Sequence, residues 1–349
     1  MIHKKNRQLK IKIFKISIKF LIILILANLL FSIISFLEKY KYCYECIDQK
    51  KDKDSKCLKC PNEIIFKNLY IVSNEKTLKE IIKYNKSISR INDGEISLID
   101  GNSIPFQKYE YNISKRLLDI LNSHEKNLLI GIFFPYQKKI INTFANYSFN
   151  GWKNWLNKYK FSMLNKLKNK KYYSGDISRF YSHLKDKSKV YTYIKKLKKI
   201  WENRDIVMIE GEKTRFGIGN DLLNNTKSIK RILCPTRNAY SLYDKILKSV
   251  LNFDKSDLIL ISLGPTATIL AYDLTQYGYQ AIDIGHADIE YEYYIRKANK
   301  KIGIPYKFVN EYDRGKNEAY LEEAPDKIYY IYRKNIYLRY LIQILQTNN

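Results

Sequence analysis

From about Asn68 onward, short runs of apolar residues alternate with stretches whose apolar positions recur at helical spacing. That alternation predicts an α/β domain built on a mainly parallel sheet. The expected strands are Leu69 to Val72, Ile88 to Asn92, Leu128 to Phe134, Asp205 to Glu210, Ile229 to Cys234, Leu258 to Leu263 and Ala281 to Ile284. Helical periodicity is clearest over Thr77 to Tyr84, Tyr109 to Leu121, Lys187 to Trp201, Ala239 to Leu251 and Thr266 to Tyr277. A basic, aromatic interval from Asn150 to Tyr181 breaks the rhythm, and its Trp and Tyr residues are more simply core than sugar-stacking platforms.

Upstream the pattern changes. Phe20 to Leu37 reads FLIILILANLLFSIISFL, uncharged and apolar on every face. At about 1.5 Å per residue such a segment is long enough to cross a bilayer core. No small-residue cleavage site follows it, so a retained signal anchor is expected rather than a removed leader. Lys4, Lys5, Arg7, Lys10, Lys12, Lys15 and Lys19 precede it, whereas Glu38, Lys39, Lys41 and Glu45 follow. By the positive-inside rule this predicts a single-pass type II protein with a lumenal or extracytoplasmic catalytic domain, in Golgi or ER if the source is eukaryotic. The alternative is a bacterial inner-membrane protein facing the cytosol.

Four of the five cysteines fall just beyond, as Cys43-x-x-Cys46 and Cys57-x-x-Cys60. The paired spacing suits zinc, and an oxidising compartment would make two disulfides instead, so both stay open. Cys234 ends an apolar run and reads as a small buried hydrophobe. Sequons at Asn85, Asn112, Asn146 and Asn224 are compatible with a lumenal domain.

The net charge of +27 favours anions of any kind. With no RRM, KH or paired Cys/His finger signature, nucleic acid is not an expected partner.

Ligands of open α/β sheets collect at the carboxyl ends of strands, so four junctions carry the candidate chemistry. In Arg90-Ile91-Asn92-Asp93-Gly94-Glu95, two acids flank a glycine that would let both face one divalent cation, with Arg90 in reach of phosphate. By spacing alone, a turn with solvated acids is the simpler account. Glu210 to Asp221 supplies glycines, Arg215 and Asn220, but Leu222 occupies the third glycine position of a dinucleotide fingerprint. Leu263-Gly264-Pro265-Thr266 opens a helix and would aim amides and a hydroxyl at an anion, or serve as a plain capped turn. Finally, Asp283 to Glu292 packs acids and His286 into ten residues, a density that favours a site over a solvated face. There is no P-loop signature.

Several of these blocks together, Asn92-Asp93-Gly94-Glu95, Glu210-Gly211, Arg215 to Asp221, Ser228 to Pro235, Leu263 to Ala267 and Gly278 to His286, closely resemble the GT-D-fold glycosyltransferases, over about Leu78 to Arg296. The resemblance implies a Rossmann-like α/β fold, a UDP-sugar donor and a divalent cation, manganese with magnesium as the alternative, held by an Asp-x-Glu motif that falls on Asp93 and Glu95. It departs from the family's Gly-Asp-Gly-Glu form at Asn92, and the anchor, stem and Tyr-rich tail leave compartment and acceptor open.

The resulting expectation is a basic tail (1–19), an anchor (20–37), a Cys-containing stem (38–67), a GT-D-like domain (68–310) and a Tyr-rich extension (311–349). Function is expected to be metal-dependent transfer of a hexose such as glucose to a glycan or glycoprotein. Arg90, Arg215, Asn220, Gly264, Pro265 and Thr266 are expected at the donor, with Asp288 and His286 activating the acceptor hydroxyl. The competing readings are a membrane-tethered polyanion-binding module and a sugar-nucleotide hydrolase.

Overall fold

A computed structural model describes residues 25–34, 70–133, 145, 162–163, 166–168, 170–312 and 336–339, the last four as backbone. The chain divides into two units, Met1–Leu69 and Tyr70–Asn349. In the first, residues 25–34 form a helix exposed along its length. The remainder of the expected anchor, and the stem with Cys43, Cys46, Cys57 and Cys60, lie outside the described residues. Among the described residues no helix is long and apolar enough to cross a membrane.

The second unit is a nine-stranded parallel sheet with helices on both faces. Its strands are β1 (Tyr70–Ile71), β2 (Ser87–Ile91), β3 (Leu128–Ile132), β4 (Lys171–Ser174), β5 (Asp205–Gly211), β6 (Ser228–Cys234), β7 (Leu258–Ser262), β8 (Gln280–Asp283) and β9 (Ile336–Arg339). They lie in the order β1-β4-β3-β2-β8-β7-β5-β6-β9. The helices are α1 (Asn74–Tyr84), α2 (Asp93–Ile99), α3 (Tyr111–Leu121), α4 (Val190–Lys198), α5 (Tyr243–Val250), α6 (Pro265–Gln276) and α7 (Ala287–Ile295).

Central strands are covered on both sides: β2, β3 and β8 are buried at every position, β3 as an unbroken apolar run and β2 and β8 with polar residues among the apolar ones. Ile88, Leu129, Ile206, Met208, Leu258, Leu260 and Ile282 share one core with Leu78 and Ile81 of α1, Ile194 and Leu197 of α4, and Ala287 of α7. On the opposite face α6 packs against β2, β7 and β8, with α3 and α5 against it. Trp201, fully buried, closes the end of α4 by donating Nε1–H to the Leu222 carbonyl at 3.1 Å.

All seven expected strands and all five expected helices are present, with ends shifted by a few residues. The interval before Tyr181 contributes core where it is described, through buried Tyr172, Phe180 and Tyr181. Cys234 is fully buried, and burial followed by the Glu210 carboxylate pushes its thiol up. Four elements were not expected: β4, β9, the short α2 and the acidic α7.

The two halves of the sheet meet at β2 and β8, which share the single register pair Ile88 with Ile282. Across this seam the Arg90 guanidinium bonds the Asp283 carboxylate at 2.7 Å and the Asp283 carbonyl at 2.8 Å. It also donates to Ser178 Oγ at 2.6 Å and the Gly175 carbonyl at 3.2 Å. Breaking a buried pair from one side strands a charge. Asp283→Ala is therefore expected to cost about 3–5 kcal/mol in urea denaturation. A cost below about 1 kcal/mol, the worth of an exposed pair, would show that the seam does not rely on this contact.

Candidate active site

The carboxyl ends of β2, β5, β7 and β8 surround a cavity of ≈ 350 Å³. Its wall combines the start of α2 (Asn92 to Glu95), a loop through Ile104 to Gln107, Arg179, the turn after β5, Leu263 to Pro265, Gly285 to Asp288, and Phe308 to Glu311.

Asn92 caps α2, and its backbone N–H donates to Glu95 Oε2 at 2.8 Å. The cap folds Glu95 inward while Asp93, in the first turn, stands open to the cavity. Enclosure raises the Asp93 carboxyl above its ordinary range, with Arg179 opposing and Glu311 reinforcing the rise. Burial first, then the charge of Asp283, raises Glu95 to about 7. Two oxygen-donor carboxylates that repel one another in a shared wall have the chemistry a hard divalent cation would relieve, so the pair fits such an ion. Among the described residues there is no group of three or more His, Cys, Asp or Glu placed to hold a metal by themselves, so further ligands would have to come from solvent or substrate.

Opposite, Gly264 begins α6 at φ 54°, a left-handed value that favours glycine, and Pro265 follows at the first helical position. A Cβ on Gly264 would stand 2.8 Å from the Phe106 ring. Thr266 is fully buried and does not line the cavity, so its hydroxyl faces the core rather than a donor.

Two further expected donor contacts point elsewhere. Arg215 donates Nη1 to the Tyr306 carbonyl at 2.7 Å, and Asn220 donates to Asp288 at 2.8 Å and Glu292 at 2.6 Å; neither lines the cavity. Arg90 does line it, but its donors are held by Asp283, Ser178 and Gly175 as described above. The guanidinium near the open acids is Arg179, which sequence reasoning missed; it bonds Glu311 and approaches His286 Nδ1 at 3.2 Å.

The acidic segment after β8 is α7, and most of its charge is internal. Asp288 accepts from Lys307 Nζ at 2.7 and 2.9 Å, from the Gly217 N–H at 2.9 Å and from Asn220. Glu290 accepts the N–H groups of Tyr181 and Ser182 at 2.8 and 2.6 Å. Glu292 pairs with Lys307 at 3.0 Å. These acids pin three loops of the cavity wall to one helix. Asp288, expected as a proton acceptor, has both oxygens taken by protein donors.

His286 is also held at both nitrogens. Arg179 can only donate, so Nδ1 accepts and Nε2–H donates to Asn310 Oδ1 at 2.7 Å. Burial, followed by Arg179, lowers its pKa to about 4. Burial alone would raise Glu311, but Arg179, His286 and Lys301 together hold its carboxyl well below the usual range. Because the folded state resists protonating His286, its contribution to stability is complete above pH 6.5 and is lost as pH falls toward 4. Replacing it in His286→Gln should flatten the stability profile in that window, by at most about 1.4 kcal/mol per pH unit. Urea melts at stepped pH check this; parallel profiles for variant and parent would refute the neutral, buried imidazole.

Comparison with known proteins agrees with this architecture. The family model for the glycosyltransferase GT-D fold matches residues 88–312. "Probable glycosyl transferase Gly" of Streptococcus gordonii is 36% identical over 261 residues, 74% of this chain and 38% of that protein. Glycosyltransferase GlyD of Streptococcus pneumoniae serotype 4 is 34% identical over 249 residues, 71% of this chain and 30% of its own length. The chain thus spans only about a third of the length of these relatives. A solved structure of domain of unknown function 1792, described as having a distinct glycosyltransferase fold, superposes with a TM-score of 0.73 at 35% identity, covering 80% of this chain and 98% of that one. A related glycosyltransferase structure from Streptococcus sanguinis has 33% identity, covers 78% of this chain and all of the other, and again gives a TM-score of 0.73. On the family match and these identities, the chain belongs to the GT-D-fold glycosyltransferase family.

Proposed function

We propose that this glycosyltransferase moves a hexosyl group from a UDP-sugar to a glycan or glycoprotein with the help of a divalent cation, manganese or magnesium. The observation that carries the reading is the pair Asp93 and Glu95, one open to the cavity and the other buried behind it with a pKa near 7, facing the glycine-led start of α6. A cation bound there would offset the negative charge that grows on the leaving diphosphate.

The chain's own residues do the rest. The N–H group of Gly264, which lines the cavity at the positive end of α6, suits a phosphate oxygen, and Pro265 beside it has none to offer. The apolar wall of Ile104, Pro105 and Phe106 suits the flat face of a nucleobase and excludes water from it. Arg179 adds positive charge beside Asp93. In this reading His286 and Asp288 position the wall rather than exchange protons, since the first holds Asn310 and Arg179 and the second holds Lys307 and the 217–220 turn. The apolar segment 20–37 would tether the enzyme to a membrane.

The test removes charge and keeps the helix cap. Asp93→Asn with Glu95→Gln leaves an acceptor for the Asn92 N–H, and cation-dependent UDP binding by calorimetry is expected to fall more than about a hundredfold. Unchanged affinity would falsify the assignment of the cation. Nucleotide released only when acceptor is present supports transfer; equal release in its absence would make the protein a sugar-nucleotide hydrolase.

Gly264 offers a second handle. Gly264→Val should raise the donor KM at least tenfold, by about 1.4 kcal/mol or more of lost binding, because the new side chain meets Phe106 and strains the left-handed backbone. A parental KM would place the diphosphate elsewhere in the cavity.

A further inference from the structure

The helices α1 and α4 lie together on one face of the sheet, in contact with each other. Between them runs a second groove, of ≈ 380 Å³, that shares no residue with the catalytic cavity. Lys76, Lys79 and Lys83 of α1 line one side and Lys196 and Lys199 the other. The spacing places the α1 lysines on one stripe of that helix, and all five are exposed. Glu75 is the acid of the groove, and Lys196 pairs with it at 2.9 Å, so the balance stays strongly positive. The floor is apolar, from Leu78 and Ile82.

Around this basic face stand exposed tyrosines. Tyr70, Tyr84 and Tyr191 are 57%, 51% and 55% exposed, values that leave ring faces to solvent. Lys83 lies over the Tyr84 ring at 5.2 Å and Lys195 over the Tyr191 ring at 4.4 Å. None of the catalytic contacts uses any of these groups.

We propose that the α1/α4 face is a docking surface for an anionic phospholipid bilayer. The chemistry separates this occupant from other polyanions. Among the described residues no arginine lines the groove, so it lacks the planar fork that grips single phosphates in a fixed geometry. Lysines on long stems over an apolar floor instead suit a diffuse negative surface, with the stems in the interfacial layer and the ammoniums at headgroup level. Tyrosine with an apolar ring and a polar tip belongs at the same depth. Chain connectivity points the same way: Tyr70 begins the catalytic unit, α1 starts four residues later, and the uncharged apolar segment 20–37 with its basic flank precedes both. Docking by this face leaves the cavity at the carboxyl ends of the strands open to donor and acceptor.

The catalytic unit closes its hydrophobic core on its own residues, and solved relatives of this domain match over 98–100% of their length. It can therefore be tested without the segment 20–37, which keeps membrane contact by this face distinct from anchoring. Residues 62–349 are sedimented with vesicles of phosphatidylcholine alone or doped with phosphatidylserine. Partitioning onto the doped vesicles is expected to be at least about tenfold stronger and to weaken steeply with added salt. The variant K76E/K79E/K196E/K199E should lose that preference while melting at the parental temperature, and Tyr84→Ser with Tyr191→Ser should weaken binding severalfold. If the charge-reversed protein melts early, the Lys→Gln set at the same positions replaces it and carries the same expectation. Equal binding to neutral and doped vesicles, or full retention by the lysine variants, overturns the proposal. So does tight capture of a soluble polyanion such as heparin by a protein that ignores doped vesicles, which would make the face a polymer-binding track.

Discussion

The cavity depends on one buried ion pair at the seam of the sheet. β2 and β8 contribute a single register pair to each other, and without Arg90 the seam would be a weak ladder between two stronger half-sheets. The guanidinium reaches the backbone and side chain of Asp283, the turn at Gly175, and Ser178, so every direction of its fork ends on an oxygen. With each of its three nitrogens bonded to oxygen, the burial of the two charges is tolerable. The same geometry fixes Gly285, because a Cβ there would lie 1.9 Å from Arg90 Nη2. A residue that reads in sequence as a phosphate ligand therefore acts as the tie that sets the floor of the cavity, and Arg179 is left as the cation on its open side.

How much of this was legible follows from which signals are local. Strands such as β3, β5 and β7 were readable because burial on both faces leaves an apolar run, and α1, α3, α4 and α5 because one apolar stripe repeats. β4, with the sequence KYYS, carries no such run. α2 is seven residues long with a glycine at its second position, so its start reads as a turn. α7 buries nearly every residue from Ala287 to Tyr293, polar ones included, which erases the periodicity that marks a surface helix. β9 lies in the Tyr-rich segment beyond the expected domain boundary, yet it pairs with β6.

The acids of α7 show the same limit in the chemistry. Their density announced that carboxylates were needed, but the partners that decide their use, Lys307, Ser182 and Asn220, are 19, 108 and 68 positions away in sequence. With those partners in place Asp288, Glu290 and Glu292 hold loops, and the wall they hold includes Arg179 and Glu311. Neither of these last two belongs to a motif, so no local signal marked them. Asp93, Glu95 and Gly264 were singled out by an acid-Gly-acid spacing and a strand-to-helix junction within blocks that resemble the family, and the structure brings all three to the wall of one cavity.

The distribution of charge also bears on the cation. Although the chain carries +27, among the described residues five carboxylates line the cavity against two guanidiniums. Asp283 is matched by Arg90, Asp288 by Lys307, and Glu311 by Arg179 and Lys301. Among the described residues, that leaves Asp93 and Glu95 as the carboxylates of the wall without a direct ion pair. A diphosphate brought into this wall adds negative charge beside them, which at these separations is repulsive unless a proton or a cation intervenes. A proton would cost Glu95 its charge and gain nothing at the phosphates. A divalent ion would neutralise both partners at once, which is the physical ground on which the proposed function joins the acid pair to an anionic donor. Among the described residues no lysine lines the wall, and those of the α1/α4 groove lie apart from it at the protein's surface.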